Sequence, residues 1–184
     1  MASKSKIRLS GTGGQGVIKG AVILAEGALI DGRNATQSQV YGPESRGGST
    51  RAEVNISDEE ILFPKVESPN IMLCMSPEAY DKYATDLEKD GILILDGDVG
   101  KGKEIPGVRI YRCPITQMTR EELGSELSSN VVALGVMNGV LEMVSHDAMV
   151  ESLRRNFKPK VVDINIKAYD MGIAAGKAME PYTV

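Results

Sequence analysis

The sequence predicts an α/β fold in which a mostly parallel sheet is flanked by helices. Three observations carry that prediction. Strand-like and helix-like segments alternate along the chain, and a glycine-rich turn joins the first strand to the first helix. The third is size, because 184 residues with 42% hydrophobic content are enough for one sizeable core. We therefore expect a single domain over residues 1–184.

The strands are identified by short apolar runs and by alternation. Ser49–Ser57 alternates polar and apolar side chains with the period of two that a half-buried strand shows. Four further strands are predicted at 7–10, 71–75, 92–95 and 108–112. Because helices separate most of these strands, a largely parallel sheet covered on both faces is favoured.

The helices are marked by start and stop signals. Ser76, Pro77 and Glu78 supply an N-cap, a first-turn proline and an early acid for a helix that runs to about Lys89. The first helix, 17–31, is apolar around most of its circumference, which is typical of a buried helix. Three more helices are predicted at 129–144, 147–156 and 161–179.

The turn between the first strand and the first helix is an anion-site candidate. Its bare amides and the helix N-terminus could receive a phosphate or carboxylate, because glycine permits positive φ and close backbone approach. An NTPase phosphate loop is excluded, since Val17 and Ile18 stand where a lysine and a hydroxyl are needed. The dinucleotide pattern GxGxxG is matched, but Asp31, the acid at the right distance, closes the helix instead of following a strand. The turn reads Gly11-Thr12-Gly13-Gly14-Gln15-Gly16.

A second loop of unusual composition spans residues 41–48. In one interpretation Arg46 binds a phosphate or a partner's carboxylate while Glu44 holds the loop. In the other, Glu44 and Arg46 form an internal ion pair that stiffens a turn. Acid/base catalysis is disfavoured, because no histidine or second carboxylate lies nearby in the sequence. The loop reads Tyr41-Gly42-Pro43-Glu44-Ser45-Arg46-Gly47-Gly48.

Composition and charge exclude several classes of function. A net charge of −4 and the absence of aromatic–basic interleaving argue against nucleic-acid binding. Residues 1–52 carry seven Lys or Arg and three Asp or Glu, net +4, so the rest of the chain carries −8 and the glycine turn lies in the electropositive part. Cys74 and Cys113 are too few for a disulfide framework or a four-thiolate cluster. No apolar run spans a bilayer and no secretory leader is evident, so we expect a cytoplasmic protein without a membrane partner.

Three motifs in order along the chain resemble the gamma subunit of 2-oxoacid:ferredoxin oxidoreductases. They are the glycine turn, the 41–48 loop and the segment Asn130-Val131-Val132-Ala133-Leu134-Gly135. The similarity runs through essentially the whole chain, and three ordered motifs are far more specific than one glycine turn. The resemblance implies a Rossmann-like domain of the pyruvate/ketoisovalerate oxidoreductase gamma type.

The resemblance also implies a reaction and partners. The complete enzyme would cleave a 2-oxoacid oxidatively to acyl-CoA and CO2 and reduce ferredoxin. Alpha and beta subunits, and in some enzymes a delta subunit, are the implied partners, and ferredoxin is reached through the complex. Thiamine diphosphate, Mg²⁺ and [4Fe–4S] clusters are expected in the partner subunits only, and the isolated chain is expected to be inactive. The 41–48 loop looks most like that of 2-oxoglutarate enzymes, ahead of branched-chain 2-oxoacid, pyruvate and indolepyruvate enzymes.

By the same resemblance, this chain is expected to support assembly and to position coenzyme A. Neither a catalytic residue nor a metal ligand is expected. Val99 stands where a thiamine motif needs glycine after Gly97-Asp98, and His146, the only histidine, is expected to be exposed or to cap a helix. The residues expected to contact coenzyme A are Gly11, Thr12, Gly13, Gly14, Gln15, Gly16, Tyr41, Glu44 and Arg46.

Two other functions stay open. The chain is a pure scaffold, whose glycine turn docks an acid or carbonyl of a neighbouring subunit, or it is a stand-alone NAD-dependent oxidoreductase, against which the lack of a proton-transfer residue counts. The apolar 129–144 helix is either core or a partner-bearing surface. In the second case Asn130 and Asn138 are candidates for polar contacts across a subunit seam.

Overall fold

The computed structural model describes residues 4–40 and 48–184, which contain one six-stranded sheet. The strands are β1 (Ser5–Thr12), β2 (Asn34–Val40), β3 (Ser49–Ser57), β4 (Ile71–Cys74), β5 (Ile92–Asp96) and β6 (Arg109–Cys113). Their order in the sheet is β2-β3-β1-β4-β5-β6. β1, β4, β5 and β6 are parallel to one another, and β3 is antiparallel to both of its neighbours. The prediction of a mostly parallel sheet is confirmed.

One strand was not anticipated by the sequence. β2 has the sequence NATQSQV, which shows no alternation of apolar and polar residues. It lies at the edge of the sheet and pairs only with β3, so no buried face imposes a hydrophobic pattern on it. Its presence turns β2 and β3 into a hairpin beside β1.

The helices cover both faces of the sheet, as predicted. They are α1 (Val17–Ile30), α2 (Pro77–Tyr83), α3 (Ile115–Leu123), α4 (Ser129–Leu141), α5 (His146–Asn156) and α6 (Pro159–Lys177). One buried cluster joins Ile7 and Leu9 of β1 to α1, α4, α5 and α6. A second joins Met72 and Leu93 to Tyr80 of α2 on the opposite face.

Two helices differ from the prediction. α2 ends at Tyr83 rather than near Lys89, and a 3-10 turn follows over Ala84–Asp86. There the buried Arg8 guanidinium binds the Asp86 carboxylate, a tertiary contact that competes with a longer helix. α3 was not predicted, because the group that caps it is distant in sequence: Asp96 accepts a hydrogen bond from the Thr116 amide at 3.0 Å.

α4 is a core helix covered by α6. Its residues from Ser129 to Gly139 are all buried. Gly139 lies so near α6 that a methyl group built on it would stand 2.5 Å from the Ile173 carbonyl oxygen and 3.1 Å from the Cα of Gly176. The interpretation of this helix as a partner-bearing surface is therefore wrong, since α6 occupies the face that a partner would need.

Candidate functional site

The candidate site lies at the edge of the sheet where the parallel strands end. β1, β4, β5 and β6 finish there at Thr12, Cys74, Asp96 and Cys113. After β1 the chain passes to the β2–β3 side of the sheet, and from β4 onward it builds the opposite side. Ligands of open α/β sheets bind outside the carboxyl ends of the strands at such a switch point. The glycine turn occupies this position.

Glycine is required by conformation at two positions of the turn. Gly14 has φ +97° and Gly16 has φ +71°, both in the left-handed region that other residues rarely adopt. Gly16 is also crowded, because a methyl group built there would lie 2.6 Å from Nδ2 of Asn130. The first residues of α4 therefore touch the turn directly.

Several polar groups of the turn are bonded within the chain. The Gln15 side chain accepts from the Thr12 amide at 2.7 Å and donates to the Met75 carbonyl at 3.0 Å, so it links the ends of β1 and β4. The Gly13 amide donates to the Gly48 carbonyl at 3.3 Å. Gln15 and Thr12 thus have a structural role, and the Gly13 amide is already engaged.

Other amides of the turn remain open. Within residues 4–40 and 48–184, the amides of Gly14 and Gly16 have no hydrogen-bond partner. The N-terminus of α1 has no side-chain cap, and its first turn contains no acidic residue. Unpaired amides and the positive end of a helix dipole favour a bound anion.

A cavity of about 450 Å³ opens beside these amides. Ser129, at the start of α4, lines it and is only 4% exposed, yet its hydroxyl has no hydrogen-bond partner among the residues that the structure describes. A buried hydroxyl without a partner is unfavourable and is rare in folded proteins. It is therefore available to a ligand in the cavity. The cavity is lined by Gly14, Gln15, Thr116, Arg120, Ser125, Glu126, Leu127 and Ser129.

Among the described residues, one guanidinium lines the cavity. Arg120 of α3 is largely exposed, and its Nε donates to the Glu126 carboxylate at 2.7 Å. Such an exposed ion pair contributes little to stability, so an incoming anion can recruit Arg120 at small cost. The neighbouring Thr116 is not available in the same way, because its amide and hydroxyl both donate to Asp96.

The residues on either side of the second predicted motif lie at the same edge of the sheet. Tyr41, Glu44 and Arg46 lie outside the described residues. The backbone at either side of them is placed, since Val40 pairs with Arg51 and Gly48 binds the glycine turn. The glycine turn and the residues that flank the second motif therefore lie at one end of the sheet.

The geometry does not suit a dinucleotide. β3 separates β1 from β2, so the strand that follows α1 does not lie beside β1 as the second strand of a NAD-binding unit does. Asp31 is the C-cap of α1, as predicted, at the far end of the helix from the turn. Its carboxylate accepts from the amide and hydroxyl of Ser145 at 2.9 Å and 2.6 Å, and these bonds lower its pKa.

The remaining titratable side chains that the sequence singled out do not line the cavity. His146 is the first residue of α5, its side chain is 52% exposed, and Nε2 lies 2.7 Å from the Asp170 carboxylate, which raises the pKa of the imidazole. Burial raises the pKa of Cys74 to about 12 and that of Cys113 to about 11. Both thiols are protonated at neutral pH and are poor nucleophiles or metal ligands. Within the described ranges no three His, Cys, Asp or Glu side chains form a group that could hold a metal ion.

Asn130 and Asn138 do not reach across a subunit seam. Both are 7% exposed. Asn130 donates to the Gly16 carbonyl at 3.1 Å. Asn138 donates to the Val144 carbonyl at 2.7 Å and to the Tyr169 hydroxyl at 2.8 Å, and it accepts from the Val144 amide at 3.0 Å. The expectation was wrong because these amides satisfy the backbone at the ends of α4 and at the start of α1.

Sequence reasoning missed the far wall of the cavity. Ser129 and Arg120 were not named as site residues, since they follow the glycine turn by more than 100 positions. The sequence signal that could have revealed α3, which carries Arg120, was Gly124, a left-handed glycine that ends this helix. No helix among the described residues is long and apolar enough to cross a membrane.

Comparison with known proteins extends the similarity over the whole fold. A family model described as pyruvate ferredoxin/flavodoxin oxidoreductase matches residues 6–175. The 2-oxoglutarate synthase subunit KorC of Methanocaldococcus jannaschii is 38% identical over 179 residues, which cover 96% of each chain. The solved gamma subunit of keto/oxoacid ferredoxin oxidoreductase from Geobacter sulfurreducens superposes with a TM-score of 0.86 at 36% identity, covering 97% of this chain and 99% of that one.

A second solved structure contains ligands. It is 2-oxoglutarate:ferredoxin oxidoreductase from Magnetococcus marinus with 2-oxoglutarate, coenzyme A and succinyl-CoA bound. It superposes with a TM-score of 0.84 at 25% identity over 98% of this chain. The match covers 32% of that longer chain, so the same fold forms one part of it.

Proposed function

Since this chain belongs to the pyruvate ferredoxin/flavodoxin oxidoreductase family, as the gamma subunit of a 2-oxoacid:ferredoxin oxidoreductase, we propose that its complex oxidises 2-oxoglutarate and that this chain positions coenzyme A. The products would be succinyl-CoA, CO2 and reduced ferredoxin. The 38% identity with a 2-oxoglutarate synthase subunit, over nearly the full length of both chains, supports this substrate.

The redox chemistry belongs to the partner subunits in this proposal. An iron–sulfur cluster does not fit the residues of this chain, because its two cysteines are buried thiols of raised pKa. Thiamine diphosphate with Mg²⁺ does not fit either, since Val99 follows Gly97-Asp98 and no acidic cluster in the described residues suits a metal ion. Alpha and beta subunits would supply these groups.

The observation that carries the coenzyme A role is the open, anion-favouring cavity wall at the carboxyl edge of the sheet. A phosphate of coenzyme A would accept from the amides of Gly14 and Gly16 and face the N-terminus of α1. The unpartnered Ser129 hydroxyl would supply a further donor, and the Arg120 guanidinium at the rim of the cavity would pair with the phosphate. Arg46 remains a sequence-based candidate for a charge-assisted contact.

Direct tests use the assembled complex. With a ferredoxin acceptor, 2-oxoglutarate should give the highest kcat/KM among 2-oxoglutarate, a branched-chain 2-oxoacid, pyruvate and indolepyruvate. A clear preference for any of the other three contradicts the substrate assignment. Arg46→Ala should raise the KM for coenzyme A, and an unchanged KM refutes a role for Arg46.

Ser129→Ala gives the sharper test of the cavity. Loss of a hydrogen bond to a charged group should raise the KM for coenzyme A by about tenfold. The folded chain should not become less stable, because the hydroxyl has no partner to lose among the described residues. Ser128→Ala is the matched control, since its hydroxyl bonds Asn165 at 3.0 Å: stability should fall and the KM should stay unchanged.

A scaffold without coenzyme A contact is the second candidate. It is favoured by the internal bonds of Thr12, Gly13 and Gln15, which show that part of the turn serves the fold itself. If Ser129→Ala and Arg46→Ala both leave the KM for coenzyme A unchanged while the complex stays intact, the scaffold is the correct function.

A further inference from the structure

We propose that the loop over residues 58–70, here the 58–70 loop, docks on another subunit of the complex, which offers an apolar pocket bordered by Lys or Arg. The loop connects β3 to β4 at the amino edge of β1, opposite the cavity. Two adjacent large apolar side chains stand at its tip: Leu62 is 75% exposed and Phe63 is 78% exposed. Adjacent exposed apolar groups of this size favour an interaction site.

The backbone of the loop is held in place just after this tip. Asn55 donates to the Pro64 carbonyl at 2.8 Å. The Glu53 carboxylate accepts from the Val66 amide at 3.2 Å, and the Arg8 guanidinium donates to the Val66 carbonyl at 3.2 Å. Leu62 and Phe63 therefore extend from a fixed frame, which reduces the entropy lost on binding.

The residues that hold the loop are costly to bury. Arg8 and Glu53 are 1% and 2% exposed and form an ion pair at 2.9 Å. Buried ion pairs often contribute little net stability, because desolvation offsets the Coulomb attraction. Arg8 also binds Asp86, and Glu53 also accepts from the Ser38 hydroxyl. Their other hydrogen bonds go to the backbone of Val66 and Glu67, so this pair helps to fix the geometry of the 58–70 loop.

The charge beside the tip identifies the kind of partner. Asp58, Glu59 and Glu60 are exposed and precede Leu62, while Lys65 follows it. Asp58 pairs with Arg33 at 2.8 Å, but Glu59 and Glu60 have no ion-pair partner in the described part of the chain. In a two-fold dimer of this chain the same patch faces itself, so the acids of both copies would repel. A different chain with a basic rim is the complementary occupant.

The proposal rests on the function above only in that the chain works inside a complex. The substrate and coenzyme A tests read turnover of assembled enzyme. The docking test reads assembly, whatever the substrate is. The 58–70 loop and the cavity lie at opposite ends of β1, which spans roughly 26 Å at about 3.3 Å per residue over its eight residues. Variants at the loop tip therefore leave the cavity untouched.

The experiment measures association of the full chain with its co-purified partner subunits. Leu62→Ser with Phe63→Ser should raise the dissociation constant by about 100-fold or more, as expected when two central apolar anchors are lost. Leu29→Ser, a 56% exposed leucine on α1, is the control and should change it by less than about threefold. Thermal unfolding of each lone variant should match that of the unmodified chain, because the substituted side chains are exposed.

A charge reversal tests the basic rim. Glu59→Lys with Glu60→Lys should slow association by about tenfold at low salt, and the difference should shrink as salt rises. Wild-type affinity in the Leu62/Phe63 double variant overturns the proposal. So does an equal loss with Leu29→Ser, faster association after charge reversal, or a lone chain that dimerises through this loop.

Discussion

Replacing Gly139 by alanine tests the packing that turns α4 into core. The added methyl would lie 2.5 Å from the Ile173 carbonyl oxygen, whereas the shortest usual carbon–oxygen distance is about 3.3 Å. The overlap is about 0.8 Å and falls on backbone atoms, which cannot rotate away as a side chain can. α4 and α6 must therefore separate along their contact.

The magnitude follows from two opposing effects. Overpacking of this kind costs about 1–3 kcal/mol, and contact with backbone places Gly139→Ala at the upper end. The higher helix propensity of alanine returns about 1 kcal/mol. The free energy of unfolding should therefore fall by about 2 kcal/mol, which lowers Tm by about 4–8 °C in a chain of this size.

Gly20→Ala is the matched control for this prediction. Gly20 is also helical and buried, but a methyl group there meets its nearest atom, Cδ2 of Leu9, at 3.6 Å, an ordinary contact. This variant should gain up to about 1 kcal/mol from helix propensity. Urea and thermal unfolding followed by circular dichroism measure both. If both variants shift stability in the same direction, the account of the α4–α6 contact is wrong.

Three further predictions concern individual groups. Asp170→Asn should lower the pKa of His146 toward 6.5, which NMR of this single histidine measures. Because the folded-state pKa is raised, the His146–Asp170 contact stabilises the fold below about pH 6.5. That stabilisation is lost as the pH rises through the pKa of the folded state. Cys74 and Cys113 should react with a thiol reagent only on unfolding, and rapid labelling of the native chain contradicts their burial. Gly13→Ala should change stability by less than about 0.5 kcal/mol, since nothing lies within 4 Å of the added methyl, but should raise the KM for coenzyme A; an unchanged KM argues against phosphate approach there.

Local pattern was enough to predict most of the sheet and both of its helical layers. Strands such as β3 and β4 carry their own signal, because burial on one or both faces imposes an apolar pattern. β2 carries none, since it is a polar edge strand stabilised by pairing with β3. α3 was missed for a related reason: its cap is Asp96, at the end of a different strand.

The candidate site was predictable only where one segment forms it. The glycine turn was predicted because its conformation depends on neighbouring residues of one segment. The positive φ of Gly14 and Gly16 confirms the predicted need for glycine there. Ser129 and Arg120 are brought to it by the packing of α3 and α4. The misassigned amides, Asn130 and Asn138, show the same limit, because an asparagine that satisfies buried backbone cannot be told from one that faces a partner until the fold is known.

The central claim is that coenzyme A meets this chain at the glycine turn. Hydrogen exchange of the assembled complex, with and without coenzyme A, tests it most directly. The account predicts that coenzyme A slows exchange in the segment from Gly11 to Lys19, where the open amides of Gly14 and Gly16 lie. Protection of that segment by assembly with the partner subunits, and no further change on adding coenzyme A, would contradict it.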